Sequence, residues 1–521
     1  VTDAATTAVI DGGMGSSEDL IQLMPKIIEG AQTKLATAGL SSSTDTINVI
    51  NVIVNSMVKS VNGRSANLPA SSAETGANAT ETVFKKITSA SVSQLDEAGL
   101  SASDVGAASS ELVGTVVGSL GSAGIASTDI GGALDKITAG AVDSLDQISG
   151  FDVNSLGDAI DNITGAATAA LGNIKMDGYT SDNLSSMVSK VTAGATGALG
   201  NIKMDGYTSD NLSQMVEKIT AGATGALGKI SMDNYDASDL TGMVEKITAG
   251  ATGALGDITM VDDDGGRFDA GDLSGMVSKI TAGATSALGN IKMDGYTSDN
   301  LSLMVSKVTA GATGALGKIS MDGYYSDNLT SMVESVTSGA TGALGKITMV
   351  DDNGSKFDVN DLPDMLNQIT SGATQALGNI TMVDDNGSKF DVDDLEGMLE
   401  KITKGSSEAL VKIKMDDFDE NDYQTLVIKI SDGAKNNLSK IKMPGYNYND
   451  EKEKLEGKIT SAANDGLTKI KSKSTVAYIT NITSGNDNGT YYLGEKIYIE
   501  VHFSDNVTVK GNPKFFMEVG G

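Results

Sequence analysis

The sequence predicts a mostly α-helical chain, a tandem array of single helices running up and down or in a zigzag like an α-solenoid, with part of a β-sandwich behind it. Three observations carry this: a methionine ruler that recurs from Met176 to Met443, apolar residues that follow one helical face inside every repeat, and a switch to alternating strand patterns after Lys471.

The ruler is Met176, Met204, Met232, Met260, Met293, Met321, Met349, Met382, Met415 and Met443, with six spacings of 28 residues and three of 33. A fixed period in this range marks an array in which each unit buries its apolar face against its neighbours. Inside one unit the apolar positions are Leu184, Met187, Val188, Val191, Ala195, Ala198, Leu199 and Ile202. Those offsets trace a single stripe of an α-helix.

The helix is expected to start at Thr180 or Ser181, where a hydroxyl can accept an orphan N–H and Asn183 stands at the reciprocal position. Other copies place Asp there: Asp236 with Asp239, Asp269 with Asp272, Asp358 with Asp361. A helix from Asp182 to Ile202 is ~31 Å long, whereas Lys203 to Ser209 spans at most ~25 Å fully extended. The linker therefore does not return the chain to the start of the helix. Gly194, Gly197 and Gly200, with Ala195 and Ala198, form a strip of small side chains. That strip either admits a neighbouring backbone or, in the competing reading, breaks the unit at Gly194 into two short helices.

Taken in order, residues 1–15 read as an N-terminal arm and 16–175 as diverged helical repeats. Their helices are expected at Asp19–Leu35, kinked by Pro25, and at Asp45–Val61, Glu81–Glu97, Asp104–Leu120, Asp129–Ile148 and Asn154–Ile174. A loop of linker composition occupies 63–78. Regular copies fill 176–471, about sixteen helices in all with the diverged ones. In 472–521, strands are expected at Val476–Ile482, Lys496–Phe503, Val507–Val509 and Lys514–Val519, with turn residues between them.

The run ITSGNDNGTYYLGEKIYIEVHFSDNVTVKGNPKFFMEVGG resembles the first half of an immunoglobulin-like repeat of very large bacterial surface and adhesin proteins. The matching features are the Gly-Thr-Tyr turn and the stretch from Phe503 to Pro513. The resemblance implies an exported, multi-domain chain that belongs outside the cell or on its surface.

Composition narrows the function classes. A net charge of −30 argues against a nucleic-acid partner, which needs clustered Lys and Arg. The chain has no Cys and one His, His502, which stands alone on an expected strand with no partner for acid–base work. Disulfides, thiolate chemistry and structural zinc go with them. No apolar run is long enough to suggest a membrane span, and the opening VTDAATTAVIDGG reads as a mature or excised chain.

The longer units insert five residues after the ruler methionine, as in MVDDNGSKFDVNDL. Oxygens around a Gly turn before a helix suit a hard cation such as Ca²⁺. The candidate ligands are Asp262, Asp264, Asp269 and Asp272; Asp351, Asn353, Asp358 and Asp361; and Asp384, Asn386, Asp391 and Asp394. The pattern is similar to an EF-hand or dockerin loop, but one residue short and with Leu362 where a closing acid belongs. The competing reading is a polar turn with Asp358 as N-cap.

Tyr179, Tyr207, Phe268, Tyr296, Phe357 and Phe390 read as plugs over helix ends, and the ruler methionines as core filler. Asn-x-Ser/Thr at Asn162, Asn183, Asn211, Asn300, Asn328, Asn379 and Asn481 marks either glycan acceptors or caps. The expected function is structural: an extracellular stalk, filament or surface-lattice subunit that associates with itself. The alternative is a calcium-dependent adhesin recognising a protein or glycan. An enzyme is not expected, since every copy offers the same carboxylates.

Overall fold

The structure, a computed structural model, describes residues 26–27, 30, 43–61, 77–97, 100–122, 125–203, 207–260, 268–349, 357–381, 390–414, 422–473, 479–484 and 499–503. Fifteen α-helices lie among them. The diverged set is α1 (Ser43–Val61), α2 (Ala77–Glu97), α3 (Ala102–Ser119), α4 (Ile130–Asp143) and α5 (Val153–Ala170). The regular set opens with α6 (Ser181–Ala198), α7 (Ser209–Gly225), α8 (Leu240–Gly253), α9 (Leu273–Ala287) and α10 (Ser298–Ala315). It continues with α11 (Ser326–Ala343), α12 (Leu362–Ala376), α13 (Val392–Ala409), α14 (Asp422–Asn436) and α15 (Tyr448–Lys473). The sixteenth expected helix, Asp19–Leu35, lies outside the described residues apart from Lys26, Ile27 and Gly30, which are helical. Helix α2 begins at Ala77, so the last two residues of the expected 63–78 loop belong to it.

The start at Thr180 follows the sequence, its N–H donating to Asn183 Oδ1 at 2.7 Å. Where Asp236 stands in that place its N–H donates to Asp239 Oδ2 at 2.9 Å in a turn, and α8 begins later, at Leu240. Helix ends depart from the expectation. The α-helix expected to reach Ile202 stops at Ala198, tightens into a 3₁₀ turn over Leu199–Asn201 and leaves Ile202 extended. Gly200 lets this turn lie against the backbone of Thr259, but the same turn forms with Val411 or Ser439 in that place, at Leu410–Lys412 and Leu438–Lys440. Gly194, by contrast, sits inside an unbroken helix.

The packing rule is that each helix lies along the helix two places on and meets the next helix over a smaller patch. Odd-numbered helices form one layer and even-numbered helices the other. Within a layer the helices run parallel: Gly242 near the start of α8 faces Ser185 near the start of α6, and Gly200 faces Thr259 at their far ends. The expected zigzag is thus a two-layer α-solenoid.

Two small residues per unit make the in-layer contact. A Cβ placed on Gly250 of α8 would land on the carbonyl oxygen of Ser189 and the hydroxyl of Thr192 in α6. Thr192 Oγ1 in turn donates to Ile247 O of α8 at 3.2 Å. The same stitch joins Thr309 to Ile369 at 3.0 Å and Thr370 to Ile430 at 2.9 Å. All eight apolar positions of the unit are buried, from Leu184 at 0 % to Met187 at 7 % exposure. They belong to a continuous core from Ile50 to Ile470.

After α15 the chain forms β1 (Ile479–Ser484) and β2 (Ile499–Phe503), paired antiparallel with an irregularity between Ile479 and Asn481. The other two expected strands lie outside the described residues. Two strands do not make a sandwich, and among the described residues the expected partial β-sandwich shows as one strand pair. Among the described residues no helix is long and apolar enough to cross a membrane.

Candidate functional site

Of the twelve candidate cation ligands, Asp262, Asp264, Asp351, Asn353, Asp384 and Asn386 lie outside the described residues. The other six stand in pairs at helix starts. The Asp269 N–H donates to Asp272 Oδ2 at 3.0 Å while Asp269 Oδ1 accepts from the Gly271 N–H at 2.6 Å. Asp358 with Asp361 and Asp391 with Asp394 repeat the arrangement, at 2.9 and 3.0 Å. The Asp391 pair caps the first turn of α13, whereas the other two pairs satisfy N–H groups of the turn just before α9 and α12. Among the described residues no three His, Asp or Glu side chains stand close enough together to hold a metal ion.

Loop aromatics close the helix ends. Tyr296 OH donates to Leu288 O at 3.0 Å, and Tyr235, Tyr324 and Tyr446 make the same bond to Leu227, Leu316 and Leu438. Tyr179 and Tyr207 occupy the same place without that bond. Burial raises these phenols, Tyr446 to about 12. Met260 and Met349 are buried, and Met176, Met232, Met293, Met321 and Met443 pack half-buried on the core.

His502 is not alone. Glu500 Oε2 lies 3.7 Å from its Nε2, and Thr483 Oγ1 on the facing strand lies at 3.4 Å. Glu500 is two residues away on the same strand, and pairing of the two strands adds Thr483, which the sequence spacing does not show. Among the acceptor motifs, Asn183, Asn211, Asn300 and Asn328 serve as caps through their Oδ1 atoms. Asn162 and Asn379 are exposed.

A groove of about 1030 Å³ crosses the odd layer from Ser110 on α3 to Thr348 beyond α11. Its floor is made of small residues, among them Gly165, Ala166, Ala221 and Gly225, and its walls carry Asp161, Glu217, Lys218, Lys229 and Lys292. The small residues were legible in the sequence, but the groove depends on α3, α5, α7, α9 and α11 sharing a layer. Burial raises the Asp161 carboxyl above its ordinary range, and the Lys218 charge opposes that rise. Lys218 gives its hydrogen bond to Asp158 instead, at 2.7 Å.

Neither the protein-family models nor the curated proteins searched contain a match to this chain.

Proposed function

We propose that this chain is a structural protein of the cell surface, a stalk, filament element or lattice subunit whose product is shape. The observation that supports the reading is the backbone contact at Gly250 and its counterparts. It recurs once per unit and adds length with each copy, as expected of a solenoid built from nearest-neighbour interfaces. The C-terminal resemblance to bacterial surface repeats supports an extracellular place. Self-association through the outer faces and the absence of catalysis belong to the same proposal. Electron microscopy and solution scattering of the purified chain test it. A rod whose length matches the number of helices supports the reading, and a compact globule overturns it.

A second reading is an adhesin stiffened by Ca²⁺, favoured by the groove across the odd layer. Here the acidic loops would hold the ion and the groove a protein or glycan. Removing calcium with a chelator separates the two readings. Loss of stiffness favours the adhesin, and unchanged melting and shape favour the plain scaffold.

A further inference from the structure

The close Thr–Gly contact recurs from Gly194 to Gly433, so by itself it does not distinguish the neighbour two helices away from the one four helices away. A second pair of positions carries that information. The residue three before the stitching Thr of one helix faces the residue two before the stitching residue of the helix two places on. Glu217 pairs there with Lys279 at 2.6 Å, Glu245 with Lys307 at 2.7 Å and Glu334 with Lys401 at 2.6 Å.

In sequence, Asp135, Asp161 and Glu400 at the first position have Lys190, Lys218 and Lys458 at the second, although Lys218 bonds Asp158 and Lys458 bonds Glu396, about one turn earlier on the facing helix. Where the second position lacks lysine, the first carries no acid: Ser335 follows Ser278, and Gln368 follows Ser306. Ser274 Oγ lies 3.0 Å from Ser335 Oγ in that uncharged contact. No carboxylate from α4 to α13 stands at the first position without a lysine assigned to it.

We propose that at α7 and α8 these position pairs are a register code, which selects the helix two places on against the near-identical stitch four places on. If the layer skipped one helix, α7 would meet α11 and α8 would meet α12. Glu217 would then face Ser335, and Glu245 would face Gln368. Both half-buried carboxylates would lose their lysines, and a half-buried carboxylate without its partner is penalised. The code therefore opposes the slipped pairings to which repeat proteins are prone.

The absence of cysteine makes the code directly readable. Ser274→Cys with Ser335→Cys reports the native α9–α11 contact, and Ser213→Cys with Ser335→Cys reports the skipped α7–α11 contact. Full-length chains are refolded from denaturant, oxidised and mapped by mass spectrometry. With the native charges the first disulfide is expected and the second is not. Glu217→Lys sets two lysines together in the native register and none in the skipped one, so the skipped disulfide rises several-fold. Lys279→Glu added to Glu217→Lys restores the native pattern. A Glu217→Lys chain that folds with no rise in the skipped product overturns the proposal. If that variant does not fold, the double variant decides: recovery of the native disulfide supports the code, and failure to recover it overturns the code.

Discussion

The hydroxyl of Thr220 donates to the carbonyl oxygen of Ile280 at 3.1 Å, across 60 residues of sequence. One turn further along α9, a Cβ on Gly283 would fall on the carbonyl oxygen of Glu217 and on the same Thr220 hydroxyl. Close approach and hydrogen bond coincide at Gly250, Gly283, Gly372 and Gly433, while Gly311 and Gly339 make the approach with Thr hydroxyls that bond their own helix.

Gly283→Ala should therefore cost about 1–3 kcal/mol or more, since rigid backbone has to move. Gly253 lies in an equally helical stretch with nothing within 4 Å of a Cβ. Gly253→Ala should stabilise by about 0.5–1 kcal/mol through helix propensity. Chemical denaturation of the two variants measures the opposite signs.

Four residues after Thr192, Thr220 and Thr248 stand Thr196, Thr224 and Thr252, which are buried and lack a hydrogen-bond partner. Thr341 differs: it shares a 2.8 Å bond with Ser406, which replaces the alanine found at that place in other units. Ala251 is the corresponding alanine for Thr196. Ala251→Ser should give Thr196 a partner and add about 0.5–1.5 kcal/mol. Ser406→Ala should remove about as much, read as faster amide exchange in α13.

Tyr296 and Tyr207 occupy equivalent plugs, but only Tyr296 hydrogen-bonds a helix-end carbonyl. Tyr296→Phe should cost about 1 kcal/mol, and Tyr207→Phe should be neutral or stabilising. Melting temperatures of the pair give the comparison, and equal losses would contradict it.

Asp161 supplies a pH test. Its carboxyl is raised chiefly by burial, so the folded chain binds that proton more tightly than the unfolded chain does. Stability from this group is then present at low pH and falls as pH climbs from the ordinary carboxylate value of about 3.9 through the raised one. Asp161→Asn should stabilise the chain at neutral pH and lose its advantage below about pH 4. Paired denaturation curves at the two pH values check the sign.

Much of this architecture was legible because a helix writes its buried face into the sequence at a 3.6-residue period. Leu184, Met187, Val188 and Val191 all point to the core as the spacing requires. Neighbour choice was harder to read. The stripe says which side of a helix is buried but not which helix covers it. Only the joint pattern of Glu217 with Lys279, and of Ser278 with Ser335, records the two-unit step. The 3₁₀ turn at Leu199–Asn201 was missed because Leu199 and Ile202 keep helical spacing through it. At the acidic loops Asp358 and Asp269 close a polar turn ahead of the helix, and the N-cap position falls three residues later, on Asp361 and Asp272.

The central claim is that parallel helices of one layer stack two units apart. Pulsed electron–electron spin resonance on the cysteine-free chain tests it, with labels at Ser186 on α6, Leu303 on α10 and Asp364 on α12. In-layer neighbours are spaced about 8–10 Å apart, so the Ser186–Leu303 distance should be about 20 Å and Ser186–Asp364 about 30 Å. Distances that fail to grow from α10 to α12 would contradict the two-layer array.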